Sequence, residues 1–144
     1  MDNKTIYRRL INVWNTGEFS RTDEWLADDY TSHQRLAGQP EGREGFHRAV
    51  QWFRTVFPDF VFTIDFMVSE GDRLVGRWSG QGTHAGDFLG IATTGKVIHL
   101  TGFDALRIAH GLVVEVWHQD DMVGLLRQMG VPGLPAITSG AGDG

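Results

Sequence analysis

The sequence lacks cysteine altogether, which excludes disulfide bonds and thiolate catalysis. No apolar run approaches the ~20 residues that are needed to span a bilayer. The amino-terminal residues are polar and do not show the basic-then-apolar layout of a signal peptide. These absences predict a cytoplasmic protein that has no membrane partner.

Positive charge is also scarce. The formal net charge is −5, with 13 Lys and Arg against 18 Asp and Glu, and no Lys/Arg cluster supplies the basic face that nucleic acid requires. We therefore expect no nucleic-acid partner. The acidic balance leaves a neutral small molecule open as the ligand.

Several signatures of cofactor and metal chemistry are missing as well. The six histidines include no pair at His-x-x-x-His spacing, so we predict no metal site. There is no Gly-x-Ser-x-Gly elbow, and no glycine-rich phosphate loop opens a helix. A mechanism without any cofactor is what remains.

Aromatic residues, in contrast, are plentiful, with five tryptophans and nine phenylalanines. Most of these side chains are expected to fill the core, and a few to line a cavity for a flat aromatic or lipophilic ligand. As walls of that cavity we expect Trp14, Trp78 and Trp117, with His33 as a polar anchor.

The spacing of apolar residues predicts an α+β fold. Residues 4–15 and 43–57 follow a helical period, and a short helix begins near Thr22. Strand-like runs follow at residues 60–68, 74–83, 97–108 and 112–118, before a terminal helix at 121–129. The expected fold is a single cone-shaped, curved antiparallel sheet, wrapped by the N-terminal helices around one apolar pocket. The domain is expected to cover residues 1–137, and the polar tail 138–144 to be disordered.

The last predicted hairpin brings chemistry-bearing residues together. A two-residue loop at positions 110–111 suits a glycine-containing tight turn. Counting back across the ladder, Asp104 then faces Trp117, and period two places both on one face with Asp121. A slip of one residue would split this group.

Two aspartates are the candidate acid/base residues. Asp121 lies where a strand gives way to a helix, so it is either a helix cap or a general acid/base, and the neighbouring Asp120 could cap the helix instead. A carboxylate among aromatic side chains loses hydration, which suits it to accept and return a proton. Asp104 lies in mid-strand, where aspartate is disfavoured, and this favours a place in the pocket.

Three stretches carry a wider pattern: Tyr30-Thr31-Ser32-His33 with Gly42-Arg43-Glu44-Gly45-Phe46; residues 82–91 with Thr94-Gly95-Lys96; and Gly102-Phe103-Asp104 with Glu115-Val116-Trp117, Asp121 and Gly124-Leu125-Leu126-Arg127-Gln128-Met129-Gly130. In them the chain resembles the SnoaL-like ester cyclases, small polyketide cyclases with the ketosteroid isomerase/nuclear transport factor type of α+β barrel. The chain departs from the familiar cyclases at Asp104, where they carry a histidine, and at His118, where acidic residues are frequent.

The resemblance implies a reaction. The aspartate that opens the last helix is the acid/base of an intramolecular aldol ring closure in the family, and the matching residue is Asp121. The implied substrate is an aromatic polyketide methyl ester, with no cofactor and a homo-oligomeric protein, dimer or tetramer. We expect Asp121 to remove a proton next to a carbonyl, and Asp121 or Asp104 to return one to the new alkoxide. The alternatives are a SnoaL-like hydroxylase, an epoxide- or ether-forming cyclase in the same pocket, or a non-catalytic module for ligand binding or dimerisation.

Overall fold

The computed structural model describes residues 1–135. The helices and strands within this part of the chain are α1 (Asn3–Thr16), β1 (Leu26–Ser32), α2 (Gly42–Val56), β2 (Val61–Glu70), β3 (Arg73–Thr83), β4 (Val97–Ala109), β5 (Leu112–Asp120) and α3 (Met122–Gln128). The tail that the sequence predicts to be disordered lies outside the described residues. No helix between residues 1 and 135 is long and apolar enough to cross a membrane.

Capping residues and a nearby proline explain where the first two helices begin and end. Helix α1 begins after Asp2, whose carboxylate accepts a hydrogen bond from the Thr5 backbone N–H at 2.7 Å, and it ends at Gly17 in the left-handed conformation. Helix α2 ends at Val56, as expected from the nearby Pro58. The helix expected near Thr22 is a single 3₁₀ turn, because the chain enters β1 four residues later.

The sheet confirms the predicted fold class and adds one strand to it. Its order is β1-β5-β4-β3-β2. Strands β2 to β5 form the expected antiparallel meander, whereas β1 joins the free edge of β5 in parallel. The sheet is therefore mixed. We define its inner face as the one whose side chains are buried with those of α1 and α2 in the core.

A β-bulge near the last hairpin changes the register that the sequence predicts. The pairing of β4 with β5 shifts between Arg107 and Ile108, and Val114 of β5 has no partner there. An extra residue of this kind moves every later side chain of its strand to the opposite face.

The predicted pairing of Asp104 with Trp117 is consequently wrong. Asp104 pairs with His118, so His118 lies on the inner face and Trp117 on the outer face. The expected group of Asp104, Trp117 and Asp121 is split.

Candidate active site

An apolar cavity of about 390 Å³ lies between the inner face of the sheet and helices α1 and α2. This volume falls within the range of small-molecule sites. Trp14 of α1 and Trp78 of β3 are both in its wall. Trp14 meets the rings of Phe46 and Phe53 edge-on, at centroid distances of 5.8 and 5.6 Å, so packing holds this wall in place.

Three ionisable residues line the same cavity and form a hydrogen-bonded group, which we call the charged trio: Asp104, His118 and Asp120. The Nδ1 atom of His118 lies 2.6 Å from Asp104 Oδ1, and its Nε2 atom lies 3.2 Å from Asp120 Oδ2. The trio assembles because Asp104 lies opposite His118 on the inner face, while Asp120 follows His118 by two residues on β5.

The electrostatics of the trio make His118 a cation. A carboxylate only accepts hydrogen bonds, so both ring nitrogens of His118 donate. Burial alone lowers the pKa of His118, but the hydrogen bonds and charges of Asp104 and Asp120 outweigh burial and raise this pKa to about 10. The exposed fractions of the Asp104, His118 and Asp120 side chains are 8%, 35% and 20%. The ion group is therefore anchored at a buried carboxylate and reaches the cavity through His118 and Asp120.

Two aromatic residues support the trio. The hydroxyl of Tyr7 on α1 donates to Asp104 Oδ2 at 2.9 Å, and both groups are buried. Burial, together with the charge of Asp104, raises the pKa of Tyr7, which keeps its hydroxyl protonated as a donor. The indole of Trp78 is stacked on the His118 ring at 5.9 Å, with an interplanar angle of 9°.

A second polar group lies in the cavity wall, on the segment that joins β1 to α2. Arg35 lines the cavity and donates to the Gln39 carbonyl at 3.1 Å and to Glu41 Oε1 at 3.0 Å. Since a guanidinium has five N–H donors, Arg35 keeps donors for a ligand oxygen. The cavity thus offers hydrogen-bond donors away from the trio as well.

Asp121 has a different place from the one expected. Its side chain is exposed, does not line the cavity and accepts a hydrogen bond from the Gly124 backbone N–H at 2.9 Å, as the N-cap of α3. Asp120, which the sequence offered as the alternative cap, lies in the cavity wall instead. The catalytic role of Asp121 stays a prediction, but the structure shows no hydrogen bond between its side chain and the trio.

His33 and Trp117 are likewise away from the cavity. Their rings stack on each other at 4.8 Å, and His33 Nε2 lies 2.7 Å from Glu115 Oε2. Arg73 lies over the Trp117 ring at 5.3 Å. Neither His33 nor Trp117 belongs to the cavity lining. The geometry therefore does not support a role for these two residues in binding a substrate in the cavity.

Sequence reasoning gave no place in the pocket to Tyr7, Arg35, His118 or Asp120. His118 and Asp120 are two residues apart, so strand parity was a usable signal that they share a face. Tyr7 lies among the apolar residues of α1, where nothing marks its hydroxyl as a partner of a residue 97 positions later. Among residues 1–135, no group of three His, Asp or Glu side chains is arranged to hold a metal ion.

Comparison with known proteins gives consistent matches over most of the chain. The family model described as SnoaL-like polyketide cyclase matches residues 4–129. The aklanonic acid methyl ester cyclase DauD of Streptomyces sp. (strain C5) is 26% identical over 130 residues, covering 88% of this chain and 81% of DauD.

Solved structures share the fold. IdmH of Streptomyces antibioticus, a proposed polyketide cyclase, superimposes with a TM-score of 0.79 at 29% identity, covering 91% of this chain and 100% of IdmH. AclR of Streptomyces galilaeus, a proposed hydroxylase, does so with a TM-score of 0.74 at 25% identity, covering 92% of this chain and 83% of AclR.

Proposed function

Because this chain belongs to the SnoaL-like polyketide cyclase family, as its residues suggested, we propose that it closes a ring in an aromatic polyketide ester by an intramolecular aldol reaction without a cofactor. The observation that carries the proposal is the charged trio, which places an ionised acid/base pair in the wall of an apolar cavity. The similarity to DauD supports a methyl ester of a polyketide acid as the substrate class.

In this proposal Asp120 is the base. Its carboxylate takes a proton from the carbon next to the ester carbonyl, and the electrons of the broken C–H bond form an enolate. Once protonated, Asp120 loses the charge that holds His118 Nε2–H. This N–H is then free to donate to the enolate oxygen, which stabilises the charge that develops there.

The enolate carbon next attacks a second carbonyl of the same molecule and forms the new C–C bond. The resulting alkoxide takes a proton from the trio, either from Asp120 directly or through His118, so the product is an isomer of the substrate. The aromatic walls hold the chain in a reactive shape, and Arg35 is placed to bind a substrate oxygen away from the reacting carbon. Acid/base assistance of this kind contributes about 10²–10⁴-fold to the rate.

The decisive experiment compares two adjacent aspartates. Purified wild type, Asp120→Asn and Asp121→Asn are incubated with an aromatic polyketide acid methyl ester, with and without oxygen, and the product mass is measured. We expect an isomer of unchanged mass, indifferent to oxygen, and a loss of at least about 10²-fold in Asp120→Asn. Asp121→Asn should retain both activity and stability, because asparagine caps a helix N-terminus about as well as aspartate does.

The matched pair also tests the assignment within the reaction. If folded Asp121→Asn loses the activity and Asp120→Asn keeps it, then the aspartate that opens α3 is the base, as the family resemblance implies. If both variants keep full activity, acid/base catalysis by these carboxylates is wrong.

A second candidate activity is hydroxylation, which the similarity to AclR favours. A product heavier by one oxygen atom, formed only in air, would establish it in place of the cyclase. If wild type and both variants leave the ester chemically unchanged under all conditions, a ligand-binding module is favoured instead.

A further inference from the structure

We infer that Tyr7 is a positioning residue, which acts through Asp104 to hold the His118 imidazolium at the cavity wall, and that Gly76 is present to make room for it. The inference rests on the proposed function for its kinetic consequence, whereas its effect on His118 can be measured without any substrate.

The contacts of Tyr7 show that it can act only through Asp104. The residue is completely buried and is not among those that line the cavity, so a substrate does not reach its hydroxyl. The two oxygens of Asp104 are divided: Oδ2 accepts from Tyr7 at 2.9 Å and Oδ1 from His118 Nδ1 at 2.6 Å. Tyr7 therefore fixes the carboxylate that in turn fixes the imidazole.

Gly76 is the residue that lets the phenol reach this carboxylate. It pairs with Asp104 across β3 and β4. A Cβ at position 76 would lie 2.1 Å from Tyr7 Cε2 and 2.8 Å from the Tyr7 hydroxyl oxygen. Glycine inside a strand weakens the strand and often marks a close approach. Any larger residue would displace the phenol from its hydrogen bond.

Within residues 1–135, the side chains hydrogen-bonded to Asp104 are those of Tyr7 and His118, which makes the effect of Tyr7 predictable. Helix α1 presents Tyr7 to it and β5 presents His118, whose other nitrogen faces Asp120. Removing the Tyr7 hydroxyl leaves Oδ2 without its donor, so Asp104 binds the His118 proton more strongly. The imidazolium then becomes a weaker acid and a less well oriented donor.

The first test is the titration of His118, followed by NMR of labelled histidine. The Asp120→Asn background brings its midpoint into an accessible range, since one of the two carboxylates that raise it is removed. We expect the midpoint to be higher in Tyr7→Phe/Asp120→Asn than in Asp120→Asn by about one pH unit, the effect of losing one hydrogen bond to a charged group. Coincident midpoints would overturn the inference.

A second probe keeps the ring and its hydroxyl intact. The chain has two tyrosines, and global 3-fluorotyrosine labelling makes the hydroxyl at position 7 a stronger donor to Asp104. The His118 midpoint should then move down, opposite to the change in Tyr7→Phe. A shift in the same direction for both would show that general perturbation, and not the hydrogen bond, is responsible.

Kinetics distinguish this inference from the proposed function. With the aromatic polyketide ester, Tyr7→Phe should lower kcat about tenfold and leave KM within about twofold, because Tyr7 does not touch the substrate. Ile6→Val is the matched control, since Ile6 is the buried neighbour on α1 outside the cavity lining, and it should leave kcat unchanged. An equal fall of kcat in both variants refutes the positioning role. If the wild type has no cyclase activity but Tyr7→Phe still shifts the His118 midpoint in the Asp120→Asn background, the proposed reaction is refuted and the control of His118 by Tyr7 stands.

Discussion

Gly102 of β4 offers a direct test of how the cavity wall is built. A Cβ at this position would lie 2.5 Å from Trp78 Cζ2 and 2.7 Å from the backbone oxygen of Gln119. The Gln119 oxygen belongs to the neighbouring strand and cannot give way without disturbing the ladder. The Trp78 ring, 2% exposed and 4.9 Å from Phe62, has little space to retreat. Gly102→Ala must therefore push Trp78 away from its stack on His118.

The magnitude follows from overpacking. Extra atoms in a well-packed core cost about 1–3 kcal/mol, and we expect Gly102→Ala to lower the free energy of unfolding by this amount. The displaced ring also changes the shape of the cavity and releases His118, so kcat/KM should fall by about tenfold or more. Urea unfolding followed by tryptophan fluorescence measures the first effect, and product formation from the polyketide ester the second.

Thr101→Ala is the control, because Thr101 is the neighbouring residue of β4 on the outer face of the sheet. It should change stability by at most about 1 kcal/mol, the span of strand propensity, and leave kcat/KM unaltered. If Gly102→Ala behaves like this control, the close packing of Trp78 against β4 does not hold His118, and the reasoning fails.

Two further predictions concern pH and assembly. The folded pKa of His118, about 10, lies above its ordinary value of 6.5. The charged His118 therefore contributes fully to stability below about pH 6.5, and this contribution is lost as the pH rises through about 10. Across this window the free energy of unfolding should fall more steeply in wild type than in His118→Gln, and equal slopes would refute the charge on His118. The homo-oligomer that the resemblance implies has an apolar surface available on the outer face, where Phe66 and Phe103 are 51% and 45% exposed with ring centroids 6.2 Å apart. We expect a second copy of the chain to cover these two rings, so sedimentation should show an oligomer that Phe103→Arg dissociates. A wild-type monomer at micromolar concentration would contradict this expectation.

Most of the fold was readable from the sequence because its signals are local. The helical period of α1 and α2, and the breakers Gly17 and Pro58, act within a few residues of where they stand. The place of β1 in the sheet was not predicted, because its partner is remote in the sequence. Leu26 pairs with Val113, and a short run of seven residues gives little evidence of such a contact.

The sequence predicted which side chains of β4 face the cavity, but not which side chains of β5 do. Alternation along β4 correctly placed Asp104 on the inner face, where it is buried. On β5 the residues around the bulge, Val113 and Val114, are equally apolar, so the pattern does not show which of them faces inward. The hairpin loop alone then gave the register of an unbulged ladder, which puts Trp117 and not His118 opposite Asp104.

Electrostatics supply the reason for the bulged register. In an unbulged ladder, Asp104 would be buried opposite Trp117 without a cation, and an unpaired buried charge costs about 3–5 kcal/mol. The bulge sacrifices backbone hydrogen bonding worth only about 0.5–1.5 kcal/mol for each bond lost, and it brings His118 within 2.6 Å of Asp104. The buried aspartate thus favours the register that supplies its own counter-ion. The same one-residue shift turns Asp120 toward the cavity and leaves Asp121 to cap α3, so the pairing of one buried carboxylate decides which of two adjacent aspartates is available for chemistry.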